Sequence, residues 1–434
     1  MDFGRSDDPS VQAQLDRLSQ LSVPQGRFGL QTITALMDRL GNPHRKLPPV
    51  FHVAGTNGKG SVCAFLRAML EADGKSVHVT TSPHLVRYNE RIRVAGELIS
   101  DEELASLLGE VLDVSTDLGP SFFEVTIAAA FLAFSRTNAD ACIVEVGLGG
   151  RFDATNVLEP AAVAISAIAA LGLDHERFLL APDDGAPDVP MARIAFEKAG
   201  IAKKRVPLVA LDQVPEATRQ IVVRAESTGS ELAMRGDEWS NKLVMEEPQA
   251  RHIYRDQFGE LDLPLPNLNG PHQLRNAGLA VAMLRHQDEV VVSTDAMKHG
   301  LTQAIWPGRC EELEIGPLAG TREVWIDGGH NPSAGQAMAD FWADESVHVI
   351  IGMLANKDPE AIIEPLRPVC ASVTVVPVPE HDWHPVEAFG RDASFADDLT
   401  SAMAALPKDR RPVFITGSLY LVGEALRLND QVPQ

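Results

Sequence analysis

Short apolar runs alternate along this chain with longer stretches whose apolar positions recur every three or four residues. Residues 51–54, 76–80, 141–146, 161–166 and 207–211 read as strands, and their near-continuous hydrophobicity predicts burial on both faces. Between and after them, 61–72, 101–117, 124–135, 191–199 and 273–285 carry helical periodicity. This alternation predicts a mostly parallel sheet covered by helices on both faces. Residues 241–265 read differently: the alternating runs 242–245 and 252–255 predict a small antiparallel appendage. A second strand–helix series follows Trp306-Pro307-Gly308-Arg309, with strands at 323–327, 347–352, 372–376 and 412–416 and helices at 333–343, 359–366 and 395–405. The expected fold class is therefore α/β in two parts. An N-terminal, mostly parallel sheet domain spans 1–303, and a smaller C-terminal Rossmann-like α/β domain spans 304–434.

In such sheets ligands bind beyond the carboxyl ends of the strands. The first strand empties there into Gly55-Thr56-Asn57-Gly58-Lys59-Gly60-Ser61, followed by a helical pattern. Glycines let the backbone turn tightly so that N–H groups converge on an anion, while Lys59 adds a point charge and the helix N-terminus its dipole. This is a P-loop-like phosphate cradle with an altered spelling. Val53 stands where the usual pattern has its early glycine, and Ser61 follows the lysine one place late. A magnesium-binding hydroxyl would then come from elsewhere.

Other strand ends supply the remaining chemistry. Glu145 closes an apolar strand ahead of Val146-Gly147-Leu148-Gly149-Gly150, the place of a metal-holding carboxylate beside a phosphate loop. Ser82, in Thr81-Ser82-Pro83-His84, fits a magnesium hydroxyl and equally a turn serine before proline. His175, in Leu173-Asp174-His175, fits a ligand or a structural histidine. Lys198 sits in a last helical turn before Gly200, where a lysine also complements the helix dipole. Asp327 ends a strand ahead of Gly328-Gly329-His330-Asn331-Pro332, where a carboxylate can bind ribose hydroxyls or an amine.

The net charge of −22 argues against nucleic-acid binding. The four cysteines, Cys63, Cys142, Cys310 and Cys370, are too far apart in sequence for a zinc or redox motif and suit a reducing compartment. Residues 1–10 lack a signal-peptide core, and the longest apolar stretch, 161–173, is shorter than a membrane span. The expectation is a cytoplasmic protein without nucleic-acid or membrane partners. Residues 181–190 read as an acidic, proline-rich surface loop.

Taken in order, these segments resemble the folylpolyglutamate synthase and dihydrofolate synthase family, relatives of the Mur peptide ligases. The resemblance runs from Leu40-Gly41-Asn42-Pro43-His44 to Thr416-Gly417-Ser418. It includes the phosphate loop, Asn89-Glu90-Arg91-Ile92, Phe123-Glu124, residues 145–156, Phe196-Glu197-Lys198-Ala199-Gly200-Ile201, His272-Gln273-Leu274-Arg275-Asn276-Ala277 and Asp327-Gly328-Gly329-His330-Asn331-Pro332. It implies a Mur-ligase-like ATP-binding central domain, a C-terminal glutamate-ligase domain, and a monomeric ligase joining L-glutamate to dihydropteroate, to reduced folates, or to both. ATP would be the co-substrate, with two Mg2+ ions. Gly55, Thr56, Asn57, Gly58, Lys59, Gly60 and Ser61 would hold the ATP phosphates, with Asn276, Arg309, Asp327 and His330 as further ATP contacts. Ser82, Glu145 and His175 would be metal ligands. Lys59, His175 and a carbamylated Lys198 would serve catalysis, and Phe123, Glu124, Phe152, Asp153 and Ala154 would contact the pterin-bearing substrate. Two departures stand out: residues 178–190 are longer and more acidic than the family segment after Leu-Asp-His, and Gly328-Gly329 replaces a less flexible pair. The competing expectations are a Mur-type ligase of cell-wall precursors and a P-loop ATPase switch.

Overall fold

A computed structural model describes residues 4–21, 29–181, 183, 185–246 and 249–433. The chain divides into two compact units, one of residues 1–267 and 274–305, the other of residues 268–273 and 306–434. The segment 268–273, inside the sequence range expected for the first domain, packs with the second unit.

The first unit is built on eight strands: β1 (Val50–Ala54), β2 (Val77–Thr80), β3 (Ile92–Val94), β4 (Glu97–Leu98), β5 (Ala141–Glu145), β6 (Val163–Ile168), β7 (Leu208–Ala210) and β8 (Leu232–Met234). Their order is β4-β3-β2-β5-β1-β6-β7-β8. The six from β2 to β8 are parallel, and β3 and β4 complete one edge antiparallel. Every residue of β1, β2, β5 and β6 is buried, which is why these segments read as continuous apolar runs. Alternate side chains Val50, Cys142 and Val144 join a core with the helices Asp101–Val114 and Phe122–Arg136. β5 and β6 flank β1 on opposite sides, so the chain reverses its direction of travel across the sheet there. A crevice opens at such a switch point, beyond the carboxyl end of β1.

The antiparallel appendage has three strands, β9 (Trp239–Glu246), β10 (Gln249–Asp256) and β11 (Gly259–Leu263). The second unit carries six: β12 (Glu311–Glu312), β13 (Val324–Asp327), β14 (Val347–Ile351), β15 (Cys370–Val375), β16 (Ser394–Phe395) and β17 (Val413–Thr416). They lie in the order β12-β13-β17-β14-β15-β16, parallel except for β12. Trp342, Val349, Ile351 and Phe414 centre its core. The helix expected over 395–405 starts at Leu399, because Ser394 and Phe395 pair with Thr374 and Val375 and Asp398 caps the helix through Ser401 N–H. The helix expected over 101–117 ends at Val114. Among the described residues no helix is long and apolar enough to cross a membrane.

Candidate active site

Residues 55–58 connect β1 to the helix Lys59–Ala72. Gly58 adopts φ +82°, and a Cβ there would lie 2.4 Å from Asn276 Oδ1, so glycine is required for conformation and for space. The same contact brings Asn276, 218 positions further along the chain, onto the loop. Thr56 and Asn57 N–H both donate to the Ala170 carbonyl, at 2.9 and 3.1 Å. Thr56 Oγ1 donates to Gly172 O at 3.0 Å and accepts from Gly172 N–H at 3.1 Å. The front of the loop is thus tied to the segment after β6. The first intrahelical bond runs from Val62 N–H to Gly58 O, which leaves the Lys59, Gly60 and Ser61 amides without intrahelical acceptors.

Glu145 ends β5 with its carboxylate buried. Lys59 Nζ stands 3.9 Å from Oε1, and Ser82 N–H donates to Oε2 at 3.1 Å. Lys59, Ser82 and Glu145, drawn from three neighbouring strand ends, therefore meet. Ser82 oxygen and Glu145 carboxylate are hard donors suited to Mg2+, which keeps water and phosphate ligands and needs few from protein. Among the described residues no three His, Cys, Asp or Glu side chains gather into a metal cluster, so phosphate oxygens would have to complete such a site. His175 immediately precedes the short helix Glu176–Leu179. It holds φ +52°, its N–H donates to Asp174 Oδ1 at 2.7 Å, and its ring is 44% exposed, with Nε2 3.9 Å from Asp174 Oδ2.

Lys198 is buried near the end of the helix Pro190–Ala199 and makes no hydrogen bond with a described residue through its amine. Burial, reinforced by the positive charge of Lys59, lowers its pKa to about 7, against opposing attraction from Asp174, Asp153 and Glu197. The 147–150 turn makes this burial possible. A Cβ on Gly150 would lie 2.8 Å from Glu197 O and 2.9 Å from Lys198 O, and Arg151 N–H donates to Glu197 O at 2.7 Å. Arg151 also pairs with Glu197 and Asp183, while its guanidinium covers the Phe152 ring at 4.2 Å. The described residues of 181–190 lie at the surface as expected, with Ala181, Gly185, Asp188, Val189 and Pro190 exposed, but Asp183 turns its carboxylate inward against Arg151 and Arg193; Pro182 and Asp184 lie outside the described residues.

The expected acceptor-binding residues are distributed unevenly. The Phe123 ring packs on Gly147, where a Cβ would lie 2.4 Å from it, so Phe123 adjoins the turn after Glu145. The Glu124 carboxylate accepts from Ser121 N–H and Oγ, each at 2.8 Å, in a helix capping box. Asp153 is buried within its own loop, accepting from Leu148 N–H at 2.8 Å, and burial raises its pKa. Ala154 opens the short 3-10 turn Ala154–Val157.

In the second unit Asp327 ends β13 and accepts from Cys310 N–H at 3.0 Å and Gly329 N–H at 2.7 Å. His330 Nδ1 is 3.1 Å from Gly328 O, and the Arg309 guanidinium lies against Gly328. His272, which sequence reasoning saw only as part of a motif, belongs here. Asp327 and Arg309 act oppositely on its charge, and burial lowers its pKa. His52, on β1 and hydrogen-bonded to Thr155, was also missed, because a lone histidine inside an apolar strand carries no local signal. Gly328 and Gly329 are set by packing, with a Cβ meeting Leu419 and Met338 side chains respectively.

A glycine-rich loop, a paired lysine and carboxylate, and the Ser82 backbone bonded to that carboxylate, all at the switch point of a parallel sheet, fit a nucleotide-binding α/β enzyme. Comparison with known proteins narrows this class. The chain is 32% identical to the dihydrofolate synthase/folylpolyglutamate synthase of Bacillus subtilis, over 91% of its own length and 94% of the relative's. It is 30% identical to the dihydrofolate synthetase of Saccharomyces cerevisiae, over 93% and 98% of the two chains. Crystal structures of Mycobacterium tuberculosis folylpolyglutamate synthase complexed with ADP and AMPPCP superpose with a TM-score of 0.84 at 30% identity, covering 98% of this chain and 99% of the other. E. coli FolC in complex with DHPP and ADP gives the same TM-score and identity, with 98% of each chain covered. No family model matches the sequence. The chain belongs to the dihydrofolate synthase/folylpolyglutamate synthase family.

Proposed function

We propose that this chain is an ATP-dependent ligase that joins L-glutamate to dihydropteroate and to reduced folates through an acyl phosphate. The observation that carries this reading is the meeting of Lys59, Glu145 and Ser82 at the mouth of the phosphate loop. Relatives named for both activities, and a solved relative holding ADP with DHPP, support it.

The chemistry sets two demands. A carboxylate is a poor acyl donor until its oxygen is phosphorylated. Bringing it to the γ-phosphate sets two anions together, at a cost of about 4 kcal/mol per pair of unit charges 4 Å apart at an effective dielectric near 20. Two Mg2+ ions, when bound, neutralise the triphosphate and stabilise charge on the transferring group. Ser82 and Glu145 would hold the first, and His175 with a carbamylated Lys198 the second. Lys59 and the amides of Lys59, Gly60 and Ser61 bind and orient the phosphates, joined by Thr56, Asn57 and Asn276. Arg309, Asp327 and His330 contact the rest of ATP. Phe123 and residues 152–154 hold the acceptor so that its carboxylate faces the phosphate. The second demand is an uncharged glutamate amine and exclusion of water, which would hydrolyse the acyl phosphate. The enzyme works as a cytoplasmic monomer.

Parallel assays with dihydropteroate and tetrahydrofolate, following labelled glutamate and phosphate release, test the proposal. It expects amide product with both acceptors and phosphate release that requires acceptor and glutamate together. Phosphate release independent of both, without amide, would replace the ligase by an ATPase switch.

A further inference from the structure

A buried chain of hydrogen bonds links β1 to the turn after Glu145. His52, fully buried on β1, places Nε2 2.9 Å from Thr155 Oγ1. Thr155 Oγ1 is also 2.5 Å from Asp153 Oδ1, and Thr155 N–H donates to the same oxygen at 3.0 Å. Asp153 Oδ2 accepts from Leu148 N–H at 2.8 Å. The directions follow from proton counting. Against the push of burial, the N–H groups of Leu148 and Thr155 favour the ionised carboxylate of Asp153, which only accepts, so the single hydroxyl proton of Thr155 goes to it. Thr155 oxygen must then accept from His52, which makes His52 the neutral tautomer with its proton on Nε2. Its Nδ1 is a buried lone pair with no hydrogen-bond partner, so a proton there would meet no acceptor.

An apolar pair at 52 and 155 would join strand to turn without burying three polar groups. What the polar chain adds is direction: His52 donates to Thr155, Thr155 donates to the Asp153 carboxylate, and that carboxylate fixes Leu148 within the 147–150 turn. We propose that His52 is a positioning residue for acceptor binding, acting through Thr155 and Asp153 on the loop 147–156. This rests on the reading above that Phe123 and residues 152–154 hold the acceptor. His52 touches neither nucleotide nor acceptor in this account. It sets the shape of the loop that does.

The relay and the acceptor reading are tested separately in the full-length protein. For the relay itself, nitrogen NMR of histidine-labelled protein should find His52 protonated on Nε2 alone from pH 8 to pH 6. Amide exchange at Leu148 should quicken at least about tenfold in Thr155→Val and return in Thr155→Ser. A proton on Nδ1, or unchanged Leu148 exchange in Thr155→Val, overturns the proposal even if the enzyme takes no dihydropteroate. For the function, Thr155→Val and His52→Leu should each raise the dihydropteroate KM about tenfold while the ATP KM stays within about twofold. The double variant should be no worse than Thr155→Val, since both break one chain, and Thr155→Ser and His52→Gln should restore most of the affinity. Equal losses for ATP and dihydropteroate, or additive losses in the double variant, would reduce the chain to a structural contact and overturn the assignment.

Discussion

At the scale of single residues, Lys198 carries the sharpest consequence. A buried lysine with a pKa of about 7 holds a usable fraction of free amine at neutral pH, and a free amine is what carbon dioxide carbamylates. The charged form is the one disfavoured, so deprotonation grows as pH rises through 7. Turnover should therefore increase between pH 6 and pH 8, fall in buffer stripped of carbon dioxide, and recover on adding bicarbonate. Lys198→Ala should lower kcat on the order of a hundredfold, with ATP affinity within about threefold, and show no bicarbonate response. Steady-state kinetics beside equilibrium ATP titration checks both parts. Little of this was legible in the sequence, where Lys198 matched an ordinary dipole-capping lysine. Its burial comes from the close approach of Gly150 to the helix end, a tertiary fact. Glu124 shows the converse: a residue singled out for substrate contact spends its carboxylate capping its own helix.

At the scale of elements, the phosphate loop and the 147–150 turn depend on backbone proximity. Gly58→Ala adds a Cβ in the left-handed region, at a cost of roughly 1–2 kcal/mol, and drives it against Asn276. ATP affinity should fall at least about tenfold, read by nucleotide titration. Gly150→Ala presses a methyl onto the Glu197 and Lys198 carbonyls and should destabilise the fold by about 1–3 kcal/mol in urea denaturation. The buried strands were readable because burial on both faces leaves a run of apolar side chains. β3 and β4 were not, since strands of three and two residues are too short for a period to show. The helix Pro9–Ser19, capped by Asp8, was passed over because mean polarity hid its apolar stripe of Val11, Leu15 and Leu18.

At the scale of the whole molecule, buried neutral histidines make stability depend on pH. Burial lowers His52 to about 3 and His252 to about 4. Below about pH 6.5 the unfolded chain binds these protons and the folded chain does not, so stability falls as pH falls, by about 1.4 kcal/mol per unit for each group. Two such groups withdraw about 3 kcal/mol per unit near pH 5, a large share of a typical 5–15 kcal/mol. Partial neutralisation of the −22 net charge opposes this, but salt screens that repulsion. The urea midpoint should drop between pH 6.5 and pH 4.5, and a flat profile would contradict the burial argument. The two-part α/β organisation was visible from the return of strand–helix alternation after Trp306. The attachment of residues 268–273 to the second unit was not, because nothing in that short segment marks where it packs. The central claim is that ATP activates the acceptor's carboxylate at the phosphate loop before glutamate attacks. It is tested most directly by supplying dihydropteroate labelled with oxygen-18 in that carboxylate and analysing the inorganic phosphate released. The account predicts one labelled oxygen in each phosphate formed with amide product; unlabelled phosphate accompanying amide would contradict it.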